Sequence, residues 1–382
     1  MGLSVLFSIY FFEFEQGVIQ GGGLERTLQK LFFFLTFTFS LRRFLDVRTF
    51  MLNMAVKLPL IFLIVFSFVG SLTFLEGSYV QAINIVFFFP VLFINWNKPG
   101  GDELYRYILK VITFIVVVQL IMDPVLKAYT GVRWDNNALV GGMGNPNVYG
   151  LFLLVSAGYL YLFSKSFLRI LSVPLALSAT LTGSLVCALL AVLLALMIII
   201  SYFIRSGYLG KSAMILLIVP LVGFLIAFSY NNSEEILGLL HVISKIEGLF
   251  SLTDEGQQIG SVDGRLDYAQ EGLNLMIDNP ISMIVGHPNF LPMFNGDGTW
   301  ISFIVTHGIL FTLLFQLSNL YLILRGARFP QLEFLFSVIV LIMFQAFFIT
   351  NRILDYWPAG FVYLMVFSYC ATRRVCGINA RF

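Results

Sequence analysis

The sequence predicts an all-α fold, a polytopic helical membrane protein of about twelve transmembrane spans whose largest outward loop contains an amphipathic helix. Three observations predict it. Of 382 residues, 58% are hydrophobic and only 12% charged, about half the charged share of an average soluble chain. The 41 Phe and the mean hydropathy of +0.89 reflect apolar runs that recur at the length of about 20 helical residues needed to cross about 30 Å of hydrocarbon. The loops between these runs gather their Lys and Arg on alternate sides, the asymmetry that marks cytoplasmic loops.

Apolar runs bounded by charges, Pro or Gly fall near 2–20, 28–45, 58–75, 79–96, 107–126, 148–164, 168–183, 185–204, 212–229, 299–324, 332–350 and 355–371. They group into N-terminal spans (1–126), a smaller outer loop (127–147), central spans (148–229), a large outer loop (230–298), and C-terminal spans with a basic tail (299–382). Glu13 and Glu15 interrupt the first run, and charges are costly at the bilayer centre, so it reads either as a span or as an interfacial helix. With alternate loops assigned to opposite faces, one face collects sixteen of the 23 Lys and Arg although the other owns the longest loop. Both termini are expected in the cytoplasm, and the first run is expected to be retained because no basic n-region or cleavage site precedes it.

The net charge of +2 comes without a basic cluster, so the expected partner is the lipid bilayer and not nucleic acid. Cys187, Cys370 and Cys376 outline no disulfide framework. The smaller outer loop reads KAYTGVRWDNNALVGGMGNPN, and the large one holds nearly half of the 21 acidic residues. Within the latter, RLDYAQEGLNLMIDNP sets Leu266, Ala269, Leu273, Leu275 and Met276 at roughly helical spacing and ends at Asn279-Pro280. This is an amphipathic helix with a stop signal.

No HExxH, paired-Cys motif or P-loop is present, which leaves zinc and nucleotide hydrolysis without their parts. Asp254-Glu255 is a weak acidic pair in mid-loop, so the expected chemistry uses neither metal nor cofactor. On an outer face a synthetic reaction needs a donor that carries its own leaving group, such as a lipid pyrophosphate. Guanidinium groups suit that ligand because their planar fork pairs with phosphate oxygens and stays charged.

Arg133, Arg265 and Arg352 are the outer arginines close to spans. Arg133 precedes Gly144 and Asn145-Pro146-Asn147, a stretch whose backbone can turn N–H groups toward an anion; the alternative is an arginine that snorkels to headgroups. Arg265 at the start of the amphipathic helix could instead pair with Asp263 or Asp267, and Arg352 with Asp355. Asp297, between Gly296 and Gly298 where the large loop re-enters the bilayer, is a candidate general base or an ordinary turn and cap residue. His287 is a second candidate for substrate contact or for the base. His307, inside an apolar run, reads as a packing residue, and His241 as structural.

These segments resemble the O-antigen polymerase (Wzy-type) and O-antigen ligase superfamily. GVRWDNNALVGGMGNPNVYG is similar to the family's smaller catalytic loop, DGRLDYAQEGLNLMIDNPISMIVGHPNF to the start of its large loop, and DGTWISFIVTHGILFTLLF to the return span. LSATLTGSLVCALLAV is similar to a span that ends in Thr-x-Ser, although Leu185 stands where the family often has Arg. Asp297 takes, by spacing from Gly308, the place where ligases of the superfamily carry a catalytic His, which favours a polymerase.

The resemblance implies transfer of a polysaccharide from undecaprenyl pyrophosphate onto a lipid-linked repeat unit, on the periplasmic face of a bacterial inner membrane. Arg133 and Arg265 would hold the pyrophosphate, with Arg352, Gly144, Asn145, Asn147 and His287 as further substrate contacts and Asp297 as base. A chain-length regulator and a flippase would act beside it. The alternatives are an O-antigen ligase or a lipid-linked oligosaccharide flippase.

Overall fold

The computed structural model describes residues 35, 38–73, 89–130, 138–141, 145–165, 167–205, 260–278, 280–286 and 298–373. Among the described residues the chain is helical, with a single isolated bridge between Leu45 and Ile94 in place of any strand. The helices are α1 Val47–Met51, α2 Met54–Thr73, α3 Gly101–Thr130, α4 Pro146–Phe163, α5 Phe167–Ile170, α6 Ser172–Ser178, α7 Leu185–Arg205, α8 Gly260–Ile277, α9 Pro280–Val285, α10 Thr299–Ala327, α11 Leu332–Thr350 and α12 Trp357–Thr372. Among the described residues, four helical stretches are long and apolar enough to cross a membrane: Gly101–Asp123, Pro146–Phe163, Thr299–Ala327 and Leu332–Thr350. Leu185–Ser201 and Pro358–Thr372 are shorter apolar helices. The expected runs at 2–20 and 212–229, and nearly all of 28–45, lie outside the described residues.

Two compact units divide the described residues, one up to 105 and from 260 onward, the other from 106 to 205. In the first unit α10 packs against α2, α8, α9, α11 and α12. Phe315, Phe344, Phe348 and Tyr363 pack ring against ring between α10, α11 and α12. In this fully buried setting the Tyr363 hydroxyl donates to Asn319 Oδ1 at 2.7 Å, so both polar groups are satisfied where an unpaired one would be costly.

One end of this unit is bound by polar ties. Arg373 pairs with Asp102 at 2.6 Å, Tyr369 donates to the same carboxylate, and Arg325 reaches the carbonyls of Ala371 and Arg373. Buried Trp96 donates its indole N–H to Ser368 Oγ and lies edge-on to Tyr105. Only the end of the expected run at 79–96 is described, and residues 79–88 lie outside the described residues. Its described part is a 3-10 turn, Phe89–Phe93, followed by a bridge and turn tied to the C-terminus of α12. Asn95 and Asn97, with Pro90 and Pro99 on either side, favour turns over a continuing helix.

In the second unit α4 packs against α5, α6 and α7. It runs antiparallel to α3: Arg106 stacks over Phe163 near one end, and the Tyr149 hydroxyl donates to Val116 O toward the other. Gly150 lets α4 approach α7 closely, because a Cβ there would overlap Cys187 Sγ. The expected run at 168–183 is a short apolar helix, Leu168–Thr182, that passes through α5 and α6 into a 3-10 turn, Ala179–Thr182. Ser172, Ser178, Thr180 and Thr182 each donate a side-chain hydroxyl to the carbonyl three residues back, and such bonds compete with regular helix geometry. Cys187 and Cys370 are buried and free.

Candidate functional site

The described part of the large loop forms two helices docked on α10. α8 starts at Gly260, so Arg265 lies in its second turn and not at its start. Ile277 ends it, two residues before the expected Asn279-Pro280 stop, and Pro280 then opens α9, where a missing N–H costs nothing. The buried side of α8 is Gly272 and Met276, with Ala269 and Leu275 half-buried; Leu275 packs against Val305 of α10. Leu273, expected on that side, is 45% exposed. At about 100° per residue, Leu273 and Leu275 lie equally far from a face centred on Gly272 and Met276, on opposite sides of it, and α10 meets the Leu275 side.

α9 ends in a backbone crossing. Gly286 (φ 79) and Gly308 (φ 79) face each other at a break in α10, where a Cβ on Gly286 would come within 2.6 Å of Thr306 O and one on Gly308 would overlap Gly286 N and Ile284 O. Only glycine accommodates both the left-handed backbone and this approach. His307 beside the break is buried and lies edge-on to Phe303 at 5.2 Å, in keeping with a packing role. Ile281, Ile284 and Val285 of α9 stay exposed.

At the N-terminus of α10, Gly298 (φ 90) lies so close to α11 that an added Cβ would be 2.7 Å from Ile349 O. The backbone N–H and the hydroxyl of buried Thr299 both donate to Asn351 O, at 3.0 and 2.8 Å. This seam joins the return of the large loop to the last outer loop. Arg352, half-buried, follows Asn351 directly and precedes the 3-10 turn Ile353–Asp355. The N-terminus of the segment of α10 that precedes the break at Gly308 and Arg352 therefore lie on the same seam, an arrangement that suits an anion.

In the second unit, the smaller loop is held at its exit. Asn145 caps α4, its Oδ1 accepting from the N–H groups of Asn147 and Val148, with Pro146 as first helical residue. The Asn147 carbonyl faces Cys187 Sγ. Asn145 and Asn147, expected as substrate contacts, thus have clear structural duties in the cap. Asp123, 2% exposed, accepts the Gly141 N–H at 2.7 Å, and Leu139 N–H donates to Leu181 O at 3.0 Å. Sequence reasoning passed over Asp123, Thr299 and Asn351. The available signal for Asp123 was an acid at the outer end of an apolar run.

Arg133, Gly144, His287, Asp297 and His241 lie outside the described residues. Among the described residues no three His, Cys, Asp or Glu side chains come together as a metal site. The chain matches no protein-family model and no curated protein sequence.

Proposed function

We propose that this protein is an O-antigen polymerase, or a polymerase of a related surface polysaccharide, with about twelve spans and both termini on the cytoplasmic side of a bacterial inner membrane. Its outer loops are periplasmic, and its substrates are oligosaccharides on undecaprenyl pyrophosphate. The observation that carries the reading is the attachment of two outward connections to the N-terminal part of α10. α8, with Arg265, packs there through Leu275, and the last loop, with Arg352, is sewn there by Thr299 and Asn351. The exposed apolar side chains of α9 suit a loop that lies against lipid.

In the proposed step the acceptor hydroxyl of a lipid-linked repeat unit gives its proton to Asp297 while its oxygen attacks the anomeric carbon of the donor chain. The bond from that carbon to the pyrophosphate breaks, and undecaprenyl pyrophosphate leaves with the electron pair. Arg133 and Arg265, with Arg352 as a third ligand, stabilise the developing charge, because preorganised cations act most strongly where negative charge accumulates. One base and a leaving group that needs little protonation favour in-line displacement with inversion. The reaction uses no metal or cofactor.

Arg133→Ala and Arg265→Ala are each expected to insert normally yet leave a complemented deletion strain with lipopolysaccharide capped by one repeat unit; wild-type ladders from both would sink the pyrophosphate assignment. Asp297→Asn should abolish elongation, and full activity in that variant would move the base to His287. The break at Gly308 also favours a second reading, a flippase, since transporters place substrates at discontinuous helices. Elongation of purified lipid-linked repeat units in detergent separates the two, because a transporter makes no product there. A ligase would transfer chains to a lipid acceptor without lengthening them.

A further inference from the structure

We propose that α1 and the turn before it form a docking surface for anionic phospholipid, with apolar side chains entering the acyl boundary and arginines meeting the phosphates. The inference needs only that the first unit lies in a bilayer, not that the chain is a polymerase. Residues 39–51 carry Arg42, Arg43 and Arg48 against a single acid, Asp46. All three arginines are exposed, and so are Phe39, Val47 and Met51. At about 100° per residue, Val47 and Met51 lie on one side of α1 with Arg48 next to them, while buried Thr49 points the opposite way.

A helix this short does not persist alone, and α1 is held from behind. Buried Lys57 donates to the carbonyls of Thr49 and Phe50 at 2.9 and 3.2 Å, and the Phe50 ring stacks on Phe93. Asp46 accepts from the Arg48 N–H at one oxygen and from Asn95 at the other, which turns the acid to its own helix and leaves the arginines to set the charge outside. The face is therefore preformed, which removes an ordering cost from binding. Its level is set by Asn53, which donates to Ala371 O near the end of α12, and by Arg325 near the end of α10, which reaches the same carbonyl. α1 thus lies where α2 begins and α10 and α12 end, the depth at which a helix leaves hydrocarbon and basic side chains meet headgroups. The exposed apolar surface resumes on α2 at Leu58 and Val65, two turns apart on one side. That continuity favours lipid as the occupant, and the arginines favour a headgroup of net negative charge, since a zwitterionic one sets its ammonium against them.

The test places a reporter on the face itself. Full-length protein carrying Met51→Trp, with the unaltered chain as background for the native tryptophans, is reconstituted in phosphatidylcholine vesicles that contain a minor fraction of brominated lipid, whose bromines quench indole fluorescence on contact. Brominated phosphatidylglycerol is expected to quench the added indole at least about twofold more than brominated phosphatidylcholine at the same fraction, since one arginine near an anionic surface raises local lipid concentration about fivefold. Adding Arg42→Gln and Arg48→Gln should bring the two quenchings together. In the protein that keeps its arginines, about 1 M salt should shrink the difference, because the Debye length there is only about 3 Å. Equal quenching by the two lipids with the arginines in place overturns the proposal, as does a preference that survives their removal. Quenching by neither lipid overturns it as well, and would mean that something other than lipid covers α1. Where Met51→Trp fails to insert, Val47→Trp puts the reporter on the same side of the helix, with the same outcomes expected and the same results fatal.

Discussion

The large and the smaller loop are held by opposite means. The large loop meets α10 backbone to backbone, Gly286 on Gly308, with no side chain between them. The smaller loop is held by a side chain that reaches the main chain, Asp123 to Gly141, with the Tyr149 ring beneath. Steric closeness of the first kind has no substitute, since bonded backbone cannot step aside. A hydrogen bond of the second kind can be replaced by any acceptor of similar reach. The large-loop contact should therefore be brittle and the smaller-loop contact graded.

The largest effect is expected at the brittle contact. Gly308→Ala combines a left-handed backbone, costing about 1–2 kcal/mol for an L-residue, with an overlap against Gly286 N and Ile284 O. A loss above about 3 kcal/mol is expected, read as a fall in melting temperature in detergent. Gly286→Ala should match it, and the double variant should fall short of the sum, because both break one contact. Additive losses would mean that the glycines act separately.

A smaller effect tests the graded contact. Tyr149→Phe removes the hydroxyl that donates to Val116 O but keeps the ring under Gly141, and should cost about 1 kcal/mol by the same measurement. A cost as large as that of Gly308→Ala would erase the distinction between the two loops. The smallest effect separates the faces of α8. Leu275→Ala should destabilise by about 1 kcal/mol or more through its lost contact with Val305, whereas Leu273→Ala should stay within about 0.5 kcal/mol. Equal costs would mean that α8 packs through a different face.

Much of this was legible in residue order. Leu332–Thr350 matches its expected span end for end, and Pro146–Phe163 nearly so, since a long apolar run between polar breaks has few other solutions in lipid. The helix in the large loop was visible in its periodicity, but its face was not. Leu273 and Leu275 are equally apolar, and only the neighbour on α10 distinguishes them. The turn at the end of the run at 79–96 was not legible, because hydropathy does not see that Asn97 just beyond it would find a carbonyl on α12, at Thr372.

Composition and the spacing of apolar runs determined by themselves that the chain is helical and that several of its helices can cross a membrane. Backbone polar groups in an apolar stretch must bond within their own segment, and that constraint is local. Tertiary structure alone decided that Gly286 and Gly308 touch, that Thr299 is sewn to Asn351, and that Asp123 reaches Gly141. Each joins residues from different segments, and the partner of a long-range contact is set by how helices pack, not by the residues next in sequence.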